Sequence, residues 1–136
     1  MVIPSTIGGG IVNVIESGAF ASAHITSVVF PSTLTNIWDN AFYDNNLTSV
    51  TFPASVTQIG DYSFSKNKLA SITLPSTVTS ISSGAFDANQ LGIVTIPRSV
   101  ATISASFAGN DNVTCRIPTG KTFTTAGTGC KTIVTY

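Results

Sequence analysis

Charge is scarce in this sequence. Only 9% of its 136 residues are charged, and the six basic and six acidic residues leave a formal net charge of zero. Proteins that bind nucleic acid carry a basic surface, so the sequence predicts no nucleic-acid partner. No apolar run approaches the roughly 18 residues of a membrane span, and no membrane insertion is predicted. Serine, threonine and asparagine are the main polar residues instead, which is typical of secreted or cell-surface repeat proteins.

Groups that carry out chemistry are equally scarce. The chain has one histidine, His24, and neither a CxxC motif nor a spacing of cysteine and histidine that suits zinc. Gly120, Lys121 and Thr122 match the end of a phosphate-binding loop, but Cys115 stands where that loop needs its first glycine. No nucleophile, base and oxyanion donors can be assembled. The sequence therefore predicts a protein that is not an enzyme and that uses no cofactor or metal.

What the sequence does contain is a repeat of 22 residues. One position of the repeat holds phenylalanine, a second holds isoleucine and a third holds leucine or valine. These positions are Phe20, Phe42, Phe64, Phe86 and, after one deletion, Phe107; Ile15, Ile37, Ile59, Ile81 and Ile103; and Leu34, Val56, Val78 and Val100. A period of 20–50 residues indicates a solenoid, a propeller or an array.

Each regular copy is predicted to contain three short elements. Residues 47–52 alternate apolar and small polar side chains, as a half-buried strand does, and Pro53 ends that strand. Residues 56–59 form a second extended piece or a bend. Residues 61–64 form a short helical turn, because every copy begins this segment with Ser or Asp, which cap helical turns.

The motif Leu-x-x-Val-x-Phe-Pro, with its continuation Thr-x-Ile-x-x-x-(Ala/Ser)-Phe, resembles the BspA-like, treponemal-type class of bacterial leucine-rich repeats over residues 11–118. The resemblance implies an α/β solenoid that is mostly β, with parallel strands on a concave face and short helical turns on the convex side. We expect an array of about five repeats over residues 1–118, which continues into a C-terminal cap at 119–136. The three glycines at 8–10 extend the first repeat and predict a bulged loop. Val2 to Pro4 match the end of a repeat strand, so we expect the array to be cut from a longer one.

An asparagine lies three residues after every repeat phenylalanine except Phe20, at a position where the resembled class commonly has cysteine. The residues are Asn45, Asn67, Asn89 and Asn110. An amide can donate to and accept from backbone groups that a turn leaves unpaired. The sequence therefore predicts a structural asparagine ladder along the solenoid.

The two cysteines, Cys115 and Cys130, lie where the repeat pattern decays. Two interpretations remain open for them. They form a disulfide that closes the last loop, as in an extracellular protein, or they are two buried, reduced thiols.

The resemblance implies surface attachment, adhesion or recognition by a non-catalytic module in an extracellular or cell-surface protein. Alternation within the strands turns one set of small side chains outward, and we expect this face to bind a protein or glycan. The set is Ser27, Val29, Ser49, Thr51, Ser71, Thr73, Ile93, Thr95 and Arg116.

Three alternatives stay open beside this one. The convex turns, with Trp38, Asp39, Asp61 and Tyr62, are a rival binding surface. A surface element that self-associates end to end is a second possibility, because solenoid ends are open. An ice-binding threonine array is a third, and its row would be Thr51, Thr73 and Thr95.

Overall fold

The computed structural model describes residues 1–123 and 125–136, and shows a mostly-β solenoid of short strands. In the described residues there are ten strands and one four-residue helix. In chain order these are β1 (Thr6–Ile7), β2 (Gly10–Ile11), β3 (Val14–Ile15), β4 (Asn36–Ile37), β5 (Gln58–Ile59), β6 (Ser80–Ile81), β7 (Ile93–Thr95), β8 (Thr102–Ile103), β9 (Thr114–Ile117), α1 (Thr125–Thr128) and β10 (Thr132–Thr135).

The longest sheet is a five-stranded parallel one with the order β3-β4-β5-β6-β8. It forms from the second extended piece of each repeat and not from the segment that sequence alternation identified as the strand. Each of its strands turns one isoleucine into the core, such as the fully buried Ile37 and Ile59. Backbone bonds on both sides of the strands strengthen the pairing: the N–H of Thr57 donates to the carbonyl of Thr35, and that of Gly60 to Ile37, both at 2.8 Å.

The predicted strands pair much less. Residues 47–52 contain only one bridged residue, Thr51, which pairs in parallel with Thr73. A continuous sheet appears on this side only at the C-terminal end, where the order is β10-β9-β7. The proline that follows each segment, such as Pro53, has no N–H, so pairing cannot extend past it. The segments are nevertheless extended enough to alternate, with Val50 buried and Thr51 exposed.

The segments predicted as helical turns are pairs of overlapping tight turns. In the third copy the N–H of Ser63 donates to Gly60 and that of Ser65 donates to Tyr62, at 3.4 and 3.1 Å. Tyr62 and Lys66 both have φ of +53°, and left-handed residues at this spacing are incompatible with an α-helix. The turns stack through backbone bonds between copies, such as Phe64 N–H to the Ala85 carbonyl at 2.8 Å.

A column of phenylalanine rings runs through the centre of the solenoid. Phe20, Phe42, Phe64, Phe86 and Phe107 stack in order, with successive ring centroids 5.3, 5.3, 5.6 and 5.8 Å apart and planes within 18° of parallel. All but Phe20 are fully buried. Each buried ring removes its apolar surface from water, which is worth about 1.5–3 kcal/mol, and it does so only when a neighbouring copy covers it.

The glycine insertion in the first copy is a hairpin and not the bulged loop expected from the sequence. Strands β1 and β2 pair antiparallel, with Thr6 opposite Ile11. Gly8 and Gly9 form the two-residue turn with φ of +58° and +83°, the pair of left-handed residues that a type I′ turn requires.

Residues after 118 continue along the solenoid. Strand β10 pairs in parallel with β9, and the carbonyls of Gly127 and Thr128 in α1 accept bonds from the N–H groups of Ala105 and Phe107. These contacts are those that a following repeat would make, since turns in the other copies donate N–H groups in the same direction.

Candidate functional site

The residues predicted to bind a partner lie on one side of the solenoid and are all exposed. We call this surface the strand face: Ser27, Val29, Ser49, Thr51, Ser71, Thr73, Ile93, Thr95 and Arg116. The intervening residues point into the core, as Ile72, Val94 and Cys115 show. Pairing aligns some of the neighbouring copies, because Thr51 lies opposite Thr73 and Thr95 opposite Arg116.

The strand face consists of hydroxyl and aliphatic side chains. Its one charged group is the guanidinium of Arg116, which lies over the ring of Tyr136 at 5.4 Å from the centroid. At the C-terminal end a cleft of about 310 Å³ opens between Thr73, Ile93, Thr95 and this tyrosine. Tyr136 was not among the predicted site residues, because it follows the last recognisable repeat and no periodicity selects it.

The asparagines bridge successive copies. Oδ1 of Asn67 accepts the N–H of Leu47 at 3.0 Å, and its Nδ2 donates to the carbonyls of Phe42 and Phe64 at 2.9 and 3.2 Å. Asn89 makes the equivalent bonds with the next pair of copies. Both amides are more than nine-tenths buried, so each satisfies backbone groups that have no access to water.

A second row of side-chain bonds was not foreseen from the sequence. The hydroxyl two residues after each of Pro31, Pro53, Pro75 and Pro97 donates to a carbonyl of the preceding copy. The bonds are Thr33 to Val12, Ser55 to Leu34, Thr77 to Val56 and Ser99 to Val78, at 2.6–2.8 Å. The signal was available, because every Pro-x-(Ser/Thr) of the repeat carries this hydroxyl.

Cys115 and Cys130 are paired as a disulfide in the structure, with their Cα atoms 5.9 Å apart. Both residues are buried. The bond joins β9 to the chain that follows α1, so it ties the C-terminal segment to the last regular copy.

The opposite surface, the turn face, contains the rival residues Trp38, Asp39, Asp61 and Tyr62. Trp38 and Tyr62 are 38% and 44% exposed. The two aspartates cap the next copy and not a helical turn of their own: Oδ1 of Asp39 accepts the N–H of Asp61, and Oδ1 of Asp61 accepts that of Ser83, both at 2.9 Å.

The turn face also has a cleft of about 420 Å³ in the middle of the array. Tyr43, Tyr62, Lys66 and Asp87 line it together with Asn40, Ser65 and Ala88. The ammonium of Lys66 lies 5.0 Å from the centroid of the Tyr43 ring, and its hydrogen bond to Tyr43 raises the pKa of Lys66. Burial raises the pKa of Asp87, while a bond from the backbone of Ala108 opposes this shift.

Within the described residues, no group of three or more His, Cys, Asp or Glu side chains could hold a metal ion. The helical part of the described structure contains no segment that is long and apolar enough to cross a membrane. What the geometry provides is two surfaces: a shallow strand face and a turn face with a cleft.

Stacked 22-residue copies, a buried phenylalanine column and an asparagine ladder define a leucine-rich repeat solenoid. The chain belongs to the BspA-type leucine-rich repeat family, whose sequence model matches residues 10–130 in six copies. This confirms the family resemblance identified from the sequence.

A solved structure of a leucine-rich cell surface protein from Faecalibacterium prausnitzii A2-165 matches 98% of this chain and 59% of its own length, with 19% sequence identity and a TM-score of 0.43. No curated protein matches the chain.

Proposed function

We propose that this chain is a non-catalytic recognition or adhesion module of an extracellular or cell-surface protein, and that its strand face binds a protein or glycan partner. The observation that carries the proposal is the exposed, aligned row of small side chains on that face. A shallow surface of this kind lacks the deep pocket of a small-molecule site. It suits an extended partner that makes many weak contacts.

The side chains of the strand face indicate which contacts a partner would make. The strand face has no acidic side chain, and Arg116 gives its C-terminal end a positive charge. Ile93 and Val29 are 64% and 58% exposed, so aliphatic contacts are available beside the hydroxyls. We place the anchoring contact in the cleft of about 310 Å³ next to Tyr136.

The test uses arrays of immobilised proteins and glycans to find a ligand, followed by two variants. Replacing both Thr51 and Thr73 by Arg should abolish binding to that ligand, because two long charged side chains would cover the middle of the strand face. The matched control is Trp38→Ala on the turn face, which should bind as the parent does. Binding that survives the double replacement and fails in Trp38→Ala would place the site on the turn face.

A self-assembling surface element is the second candidate. It is supported by the outer edge of β10, which pairs with no other strand among the described residues. An exposed strand edge offers unpaired N–H and C=O groups to a second chain. Sedimentation velocity across a hundredfold concentration range tests this. A single monomeric species throughout would exclude end-to-end association, whereas a series of growing oligomers would favour it.

A further inference from the structure

Tyr62 occupies a position where the repeat needs a small residue. The equivalent residues in the other copies are Gly18, Asn40, Gly84 and Ala105. Tyr62 has a φ of +53°, and a bulky side chain in the left-handed region is unfavourable and rare. The repeat can pack without a tyrosine at this position, because two other copies have glycine there.

The neighbouring copy accommodates the ring. A Cβ added to Gly84 would lie 2.3 Å from Cε1 of Tyr62, so only a glycine at this position lets the ring rest against the backbone. Tyr62 remains 44% exposed. The result is an aromatic surface that is fixed on the turn face and open to solvent beside the cleft.

Asp87 lines the same cleft and has an unsatisfied oxygen. Its Oδ1 is buried without a hydrogen-bond partner, which is costly for a carboxylate. The terminal torsion of aspartate rotates easily, so we expect this carboxylate to accept a hydrogen bond from a donor bound in the cleft. Lys66 and Asn40 also line the cleft, and their side chains supply donors.

The charges of Lys66 and Asp87 limit which class of ligand can bind in the cleft. The Lys66 ammonium already lies over the Tyr43 ring, so a second cation would be repelled from the aromatic groups. An anion would be repelled by the carboxylate of Asp87. A neutral ligand with an apolar C–H face and several hydroxyls meets neither objection, because it can stack on Tyr62, donate to Asp87 and accept from Lys66. The cleft volume of about 420 Å³ lies within the range of small-ligand sites.

We infer that the turn-face cleft around Tyr62, Lys66 and Asp87 is a second binding site, specific for a neutral saccharide unit. It is separate from the strand face and does not depend on it. A module with both sites would hold a glycan on one side while its strand face holds its partner.

The test is a set of NMR titrations of the ¹⁵N-labelled chain with maltohexaose, cellohexaose, chitohexaose and mannohexaose. At least one of these should shift the backbone amides of Tyr62, Lys66 and Asp87 and leave those of Thr51 and Thr73 in place. If none of the four moves the cleft amides, the proposal is wrong. Trilysine serves as the charged comparison, and shifts at the same amides with trilysine but not with the saccharides would assign the cleft to a cationic partner.

Two variants sharpen the result. Tyr62→Gly places in this copy the residue that two other copies have, so it should fold normally and raise the Kd for the saccharide by about tenfold or more, as loss of an aromatic anchor does. The Thr51→Arg, Thr73→Arg double variant should bind the saccharide as the parent does. The saccharide test therefore stays valid even if the strand face proves to bind no partner. A Tyr62→Gly variant with the parent's affinity would overturn the inference.

Discussion

The strand face and the turn face are built from the same repeat, but their backbones are held in different ways. On the turn face every copy is bonded to the next through backbone N–H groups, such as Tyr62 to Ser83 and Phe64 to Ala85, and buried amides such as Asn67 add further bonds. Between residues 27–30 and 49–52 on the strand face, the described structure has no paired strands. The difference indicates that the turn side and the core hold the solenoid together.

The largest effect is expected from the phenylalanine column. Phe64 is fully buried between the rings of Phe42 and Phe86, so Phe64→Ala should lower the free energy of unfolding by about 3–5 kcal/mol. Urea unfolding followed by circular dichroism measures this. The control is Tyr43→Ala on the turn face, which should cost far less because Tyr43 is only half-buried.

Loss of the disulfide comes next. Replacing Cys115 and Cys130 by Ser removes a link that closes a loop with a sequence separation of 15, for which the chain-entropy model gives about 3 kcal/mol. Two free thiols titrated in unfolded, non-reduced protein from an oxidising compartment would contradict the pairing. If the paired cysteines hold the end of the array, amides in residues 105–118 should exchange faster in the variant, and those near Phe42 should not.

The asparagine ladder is expected to contribute less per residue. Asn67→Ala leaves the buried N–H of Leu47 without its partner, and an unsatisfied buried group costs about 1–3 kcal/mol. The matched control is Asn112→Ala, since Asn112 is exposed and surface changes usually stay within about 0.5 kcal/mol. Equal unfolding midpoints for the two variants would refute a structural role for the ladder.

A smaller effect should depend on pH. Burial raises the pKa of Asp87 in the folded state, so the folded protein holds this proton more tightly than the unfolded chain does. Stability should therefore fall as the pH rises from the ordinary aspartate pKa through the raised one, and should stay lower above it. In Asp87→Asn this decline should disappear when the thermal midpoint is measured against pH. The raised pKa of Asp87 would be contradicted if the thermal midpoint of the parent rose across this pH range and that rise disappeared in Asp87→Asn.

The repeat itself explains which features could be predicted from the sequence. The same residue types recur at the same positions of each copy. Phe64 and Val50 could therefore be assigned to the core, and Asn67 to the ladder, from their spacing alone. The segment equivalent to residues 47–52 was predicted as the strand of each copy, but the longest sheet forms from the second extended piece, because alternation reports burial and not pairing. Gln58 and Ile59 have no alternating pattern, yet their backbones meet those of the neighbouring copies on both sides.

Single departures from the repeat were harder to interpret. Tyr62 was predicted to lie on the rival binding surface, but its left-handed backbone and its fit against Gly84 depend on the geometry of two stacked turns. Asp87 gave no signal in the sequence, since its position holds a different residue in nearly every copy. Periodicity predicts the residues that the copies share, whereas Tyr62 and Asp87 in the turn-face cleft are residues that the copies do not share.

Amide hydrogen exchange of the parent protein tests the central comparison most directly. The amides of Phe42, Phe64 and Lys66, which donate to the next copy on the turn side, should exchange only through global unfolding. The amides of Ser49 and Thr51 on the strand face should exchange faster, through local opening. Equal protection on the two sides, or stronger protection of the strand face, would contradict the claim that the turn side and the core hold the solenoid together.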